Sequence, residues 1–216
     1  MSVRSVMCFG DSNTHGTRAL RYATDRRRLA PDARWPSVMA DALGHRWEVI
    51  AEGQPGRTSV FDDPIEGPHK NGQAALPGLL ESHRPLDLVI VMLGTNDLKA
   101  RFGQSAHDIS LGLQRLVRLV LSSDCGPEGR APQVLLAAPV PLEETGVFED
   151  VFAGAAQKSR ALADLLAQVA ARQQVHFADM GQVAEVDPRD GIHLDAKGHA
   201  AVGAEMAGVV QTVMKS

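Results

Sequence analysis

The 216-residue chain contains two cysteines, Cys8 and Cys125, too few for a disulfide framework or a thiolate zinc site. Both are expected to be buried thiols. No stretch approaches the roughly 18 apolar residues that a membrane helix requires. The first nine residues are only briefly apolar and offer no small-residue cleavage site, so a signal peptide is not expected and a cytoplasmic location is. There is no basic excess either: Lys+Arg 22 against Asp+Glu 26 leaves a net charge of −4, which argues against a general binder of nucleic acid or acidic membrane. Repeats, low-complexity tracts and linkers are absent, and 44% apolar with 22% charged residues excludes wholesale disorder. Residues 1–216 are therefore read as one domain. Two familiar signatures are also missing. The chain has no Gly-x-x-x-x-Gly-Lys-Ser/Thr phosphate loop, and Ser12 does not lie in a Gly-x-Ser-x-Gly elbow.

What is present is an alternation of short apolar runs with longer helical patterns. Residues 3–9, 47–50, 86–93, 134–138 and 175–178 read as strands. The run Leu86-Asp87-Leu88-Val89-Ile90-Val91-Met92-Leu93 is the strongest, and its lack of polar alternation suits a parallel strand covered on both faces. Residues 35–43, 109–121, 156–171 and 196–214 have helical spacing, the last with Asp195 as N-cap. The order implies an α/β fold with a central parallel sheet between helical layers. Ligands of such sheets collect at the carboxyl ends of strands. The segments found there are Gly10–14, 53–58, 94–97, 139–142 and 179–193, four of the five built from Gly, Ser, Asn, Asp and His.

Three groups in those segments have chemical potential. Ser12 directly follows a strand, where its hydroxyl can be exposed above the sheet edge; a turn or cap serine is the plainer alternative. A serine nucleophile needs a general base, and the base needs a partner that fixes its tautomer. In Asp190-Gly191-Ile192-His193 the carboxylate can fold back to accept from Nδ1 of His193, leaving Nε2 for Ser12. The alternative is a turn in which Asp190 and Asp195 satisfy backbone N–H groups. An oxyanion needs several donors aimed at one point, and the N–H groups of Ser12 and Gly56 with the side-chain amide of Asn96 can supply three. Because the base must be neutral, activity is expected to climb with pH as an imidazole deprotonates, at roughly pH 6.5 when unperturbed.

Gly10-Asp11-Ser12, Gly56, Gly94-Thr95-Asn96-Asp97 and Asp190-x-x-His193 stand in the order and approximate spacing of the four motif blocks of the SGNH hydrolases, the GDSL-type esterases, and the chain resembles that family over nearly its whole length. It looks closer still to the arylesterase/acyltransferase branch. Ala30-Pro31-Asp32-Ala33-Arg34-Trp35, Gly56-Arg57-Thr58 with Asp62-Asp63-Pro64, and the segment 85–97 carry that likeness. The resemblance implies a three-layer α/β/α flavodoxin-like fold and hydrolysis of short-chain, acetyl-type esters through an acyl-enzyme, with acyl transfer to another acceptor as a further activity. Ser12 takes the role of nucleophile, His193 of base and Asp190 of its partner; Ser12, Gly56 and Asn96 take the oxyanion roles. Asp11, Asn13, His15, Thr95 and Ile192 are expected around the substrate pocket. No metal or cofactor is implied, the partner is a small-molecule ester, and a homo-oligomer is expected.

The chain departs from the family pattern where Leu usually follows the serine, which here is Asn13, and where aromatic residues often follow, which here are His15 and Thr17. A more polar pocket is expected, favouring acetylated carbohydrate or other polar short-chain esters; thioesters and lysophospholipids stay open as substrates. A phosphate- or flavin-binding module at Gly10–14 is the non-enzymatic alternative. His193, Asp195 and His199 can be read as metal ligands, and Asp97 as a residue that only holds its loop. Arg18, Arg21, Arg26, Arg27, Arg28 and Arg34 form a basic cluster read as a solvated face, with an acidic substrate or an intersubunit network as alternatives. Residues 142–152, with Phe148 and Phe152, are read as a lid or a subunit contact.

Overall fold

The computed structural model describes residues 3–22 and 24–215. Its five strands are β1 (Arg4–Gly10), β2 (Trp47–Gly53), β3 (Leu88–Met92), β4 (Gln133–Ala138) and β5 (His176–Asp179). They form a parallel sheet in the order β2-β1-β3-β4-β5. The longer helices are α2 (Trp35–Leu43), α3 (Gly72–His83), α4 (Ala106–Leu121), α5 (Ala156–Gln173) and α6 (Ala196–Val213), and a single turn, α1 (Ser12–His15), follows β1. Alternate side chains of each strand go to opposite faces. Met7, Phe9, Val89, Val91 and Leu136 join buried residues of α3, α4 and α5, whereas Val6, Cys8, Leu88, Ile90 and Leu135 join Trp35 and Met39 of α2 and Val202, Met206 and Val210 of α6. Two apolar layers thus sandwich the sheet, the three-layer α/β/α architecture expected from the sequence.

Local chemistry sets the helix boundaries. Ser105 and Asp108 form a reciprocal capping box at the start of α4. Asp195 accepts from Gly198 N–H at 2.7 Å and caps α6 as expected. Helix α3 has no counterpart among the helices expected from the sequence, and its interior Pro77 and initial Gly72 both disfavour helix. Burial prevails: Asn71 caps the helix by accepting from Gln73 N–H at 2.9 Å, and Leu76 and Leu80, one turn apart, are both buried in the core. Other boundaries move by one to three residues. Both cysteines are buried and free.

Chain order reverses between β1 and β3, the place where an open parallel sheet leaves a crevice. Ser12 leaves β1 on one side of that crevice and Asn96 leaves β3 on the other.

Candidate active site

Ser12 is the first residue of α1, and Asp11 caps the turn by accepting from Asn13 N–H at 3.0 Å. Burial raises the Asp11 carboxyl above its ordinary value, against the opposing influence of the Asn13 N–H. Ser12 Oγ lies 3.0 Å from Nε2 of His193, and Nδ1 of His193 lies 2.6 Å from Oδ2 of Asp190. The Asp190 carboxylate is fully buried and also accepts from the N–H groups of Ile192 and His193, each at 3.0 Å, and of Leu20 at 2.7 Å. Burial would raise its pKa, but the His193 ring and these N–H groups outweigh it and hold it below the usual carboxylate range. An ionised Asp190 can only accept, so it holds the ring proton on Nδ1 and leaves Nε2 to accept from the Ser12 hydroxyl. The two alternatives weighed for Asp190, ring partner and turn cap, are both realised by one carboxylate. Gly191 makes this fold-back feasible: its φ is +68°, and a Cβ there would lie 2.0 Å from the carbonyl oxygen of Glu143.

Across the serine stand Gly56 and Asn96, both lining the same cavity. Gly56 adopts φ +81°, which turns the chain after Pro55. Among the described residues, none accepts a hydrogen bond from the N–H groups of Ser12 and Gly56 or from the Asn96 side-chain amide. Three donors without protein acceptors therefore border the serine. Behind Asn96, Asp97 is fully buried and accepts from the N–H of Ser59 at 2.9 Å and from its hydroxyl. Burial pushes its pKa up to about 6. Asp97 is thus the residue that holds its loop.

The cavity has a volume of about 400 Å³ and two unlike walls. One is apolar, with Leu20, Phe148, Val151, Phe152 and Ile192; the Phe148 ring lies 6.1 Å from the His193 ring and meets Phe152 edge-on. The other is charged. Lys99, 4% exposed, reaches Asp63 at 3.2 Å and Glu66 at 2.5 Å, and Arg101 reaches the same two carboxylates at 2.8 and 2.7 Å. The Asp63 carboxyl would be raised by burial, yet the N–H groups of Glu66 and Ile65 and the two cations hold it far below its ordinary value. A second hollow, of about 560 Å³, lies between residues 181–188 and the start of α6, and neither Ser12 nor His193 lines it.

A model of the GDSL-like lipase/acylhydrolase family matches residues 8–201. The chain belongs to that family. Among solved structures, the hydrolase is similar to the aryl esterase of M. smegmatis, with 41% identity, coverage of 97% of this chain and 99% of that one, and a TM-score of 0.92. A carbohydrate acetylesterase from Sinorhizobium meliloti is 39% identical over 97% of this chain and 99% of that one, also with a TM-score of 0.92. A member of the lipolytic G-D-S-L family from Veillonella parvula, 15% identical over 96% of this chain and 98% of that one, shares the fold at a TM-score of 0.67. No curated protein sequence matches the chain. The family and the esterase neighbours make the hydrolase a carboxylic ester hydrolase.

Several expectations about the hydrolase need correction. Of the five residues expected around the pocket, His15 and Ile192 line the cavity, whereas Asp11, Asn13 and Thr95 do not. Asp11 and Asn13 are occupied with hydrogen bonds inside the loops, and Thr95 is buried. Burial, with the charges of Arg28 and Arg34, lowers the pKa of His15. His199 is buried against α2: its Nδ1 accepts from the N–H of Trp35 at 3.1 Å, and burial, aided by His193, pushes its pKa down to about 4.

The basic cluster is more than a solvated face. Residues 17–22 and 24–29 belong to a strap that doubles back, with Thr17 bridged to Arg28, and Asp25 is buried inside it against Arg27 at 2.5 Å. Leu20, Asp25 and Arg26 face the cavity. Residues 142–152 supply its apolar wall, with Phe152 buried. The charged wall and the Leu20 N–H escaped the sequence reading. Asp62-Asp63-Pro64 was noted only for its likeness, and any non-proline residue carries an N–H.

Proposed function

We propose that the hydrolase cleaves short-chain carboxylic esters through an acyl-enzyme on Ser12. The observation that carries this reading is the unbroken relay from Ser12 Oγ through the His193 ring to Asp190, at 3.0 and 2.6 Å. His193 accepts the hydroxyl proton through Nε2 as Ser12 attacks the ester carbonyl. Asp190 holds the tautomer and stabilises the imidazolium that forms. The developing oxyanion is received by the N–H groups of Ser12 and Gly56 and the amide of Asn96, donors without other protein acceptors. His193 then protonates the leaving alcohol. Water, activated by the same ring, opens the acyl-enzyme, and an alcohol or peroxide in its place gives acyl transfer. No cofactor enters any step.

The unlike walls support a small acyl group combined with a polar alcohol. Of the polar residues expected there, Asn13, His15 and Thr17, the last two line the cavity, together with the charged Glu66, Lys70, Lys99 and Arg101. Charged groups beside an aromatic surface suit an acetylated carbohydrate, and the likeness to a carbohydrate acetylesterase favours the same substrate. The reading takes residues 1–216 as one hydrolase domain acting in the cytoplasm; no helix among the described residues is long and apolar enough to cross a membrane. It includes self-association, for which the exposed Tyr22 and Ile65, on segments flanking the cavity, offer apolar contacts. A monomeric mass by light scattering would count against that part.

Hydrolysis of p-nitrophenyl acetate by the wild type and by folded Ser12→Ala tests the proposal. Loss of activity in the variant supports it, and equal activity in both would refute it. A series of acyl chains and leaving groups tests the substrate, where a strong preference for long apolar esters would overturn the polar-alcohol assignment.

A further inference from the structure

Asn13 is buried, and its side chain does not face the cavity. Its Nδ2 donates to the carbonyl oxygen of Ile192 at 3.1 Å, and its Oδ1 accepts from the N–H of Leu194 at 3.0 Å. These two groups belong to the residues immediately before and after His193. The main chain of His193 is fixed elsewhere: its N–H donates to Asp190 and its carbonyl accepts from the N–H of Asp187 at 2.8 Å. Among the described residues, the hydrogen bonds joining α1 to residues 190–194 are the two made by Asn13 and the Ser12–His193 contact itself. A planar amide bonded at both ends restrains separation and rotation together. A leucine, which the family pattern has at this position, can form neither bond.

We propose that Asn13 is a positioning residue whose amide sets the separation of Ser12 Oγ and His193 Nε2, and with it the rate of proton transfer between them. The proposal rests on the reading of Ser12 and His193 as nucleophile and base. Asp190 orients the ring within its own loop, but it does not tie that loop to α1. Without the amide, the hydrogen bonds left between this part of the chain and the His193 loop are the Ser12–His193 contact, which must break in the reaction, and the Leu20–Asp190 bond, which lies beyond α1. Misplacement by about 1 Å costs on the order of 10²-fold in rate.

The test compares Asn13→Leu and Asn13→Asp with the wild type. Steady-state hydrolysis of p-nitrophenyl acetate is measured beside phosphorylation of Ser12 by diethyl p-nitrophenyl phosphate. In the second reaction the Ser12 Oγ–phosphorus bond forms, p-nitrophenolate leaves and the serine proton goes to His193, so its rate reads the activated serine directly. For Asn13→Leu, kcat and the phosphorylation rate are expected to fall together by about 10- to 100-fold, with KM changed less than about threefold. The downfield Nδ1 proton resonance of His193, which reports the bond to Asp190, is expected to persist. Asn13→Asp keeps the size and the acceptor for Leu194 but loses the donor to Ile192, so an intermediate decrease is expected. It also decides the matter if Asn13→Leu does not fold.

Rates per folded molecule within about threefold of wild type, even with a lowered Tm, would mean that Asn13 is merely structural and would overturn the proposal. Inactive Ser12→Ala beside fully active Asn13→Leu overturns this proposal alone. Fully active Ser12→Ala overturns the reading of the site and this proposal with it.

Discussion

The two ends of the active-site cavity are built on different principles. At the reaction end, Ser12, Asn96 and the Asp190–His193 turn sit where segments leave the sheet or approach its edge; local bonds such as Asp11 to Asn13 and Asp190 to Ile192 shape each segment, and the neutral amide of Asn13 joins two of them. The charged end reaches Gly56 through Glu66; there Asp63, Glu66, Lys99 and Arg101 come from two segments more than 30 residues apart, and ion pairs around the buried Asp63 hold them. Topology delivers the first end; electrostatic pairing assembles the second. Damage at the reaction end should therefore appear in turnover with the fold intact, and damage at Asp63, the buried centre of the charged end, in stability.

The largest expected effect is at Asp190. Asp190→Asn removes the charge that fixes the His193 tautomer and should lower kcat by about 10⁴, by analogy with the same change in another serine hydrolase. A variant within threefold of wild type would remove the residue from the relay. Asn96→Ala should cost about 10²–10³ in kcat, the usual loss for one oxyanion donor, with an unchanged Tm. A fall in Tm that accounts for the lost activity would blur the division between the two ends.

At the charged end, Asp63→Asn leaves Lys99 and Arg101 with Glu66 alone. Breaking a buried pair costs about 3 kcal/mol or more, and denaturant unfolding should show it while kcat changes little. The smallest effect concerns His199, outside both ends. Its folded pKa, about 4, lies below the unfolded value, so its contribution is full above roughly pH 6.5 and is lost as the pH falls towards 4. Asp97, whose pKa is raised, acts with the opposite sign over a similar range. The comparison is therefore wild type against His199→Gln, which keeps an acceptor for Trp35 and shares Asp97. Between about pH 6.5 and pH 5 the wild type should lose about 2 kcal/mol more than the variant; parallel stability curves would refute the assignment.

The same division explains what could be read from the sequence. Strands β1, β3 and β4 announce themselves as apolar runs, and Ser12, Asn96 and the Asp190/His193 pair by residue type at strand-end positions. Helix α3 was hidden because Pro77 and Gly72 signal against helix locally while Leu76 and Leu80 act through burial. Asn13 was misplaced for a different reason. Its polarity is plain in the sequence, but the direction of its side chain is fixed only once α1 meets the residues 192–194. The charged wall is a tertiary product: nothing local in Asp63 indicates that Lys99 and Arg101 will share it. Leu20 acts through its N–H, a group that the sequence does not distinguish at any non-proline position.

That Leu20 N–H has a consequence for attempts to re-engineer the cavity. One face of the strap borders the substrate space, and its backbone also supplies one of the hydrogen bonds on the Asp190 carboxylate. Loop exchange between relatives would treat residues 17–29 as a module of specificity, yet grafting a strap of another length would also disturb the acid partner of the base. Libraries built there should return variants in which selectivity and speed change together. Libraries at Val151 or Phe152 leave the carboxylate untouched and should change selectivity with less loss of speed.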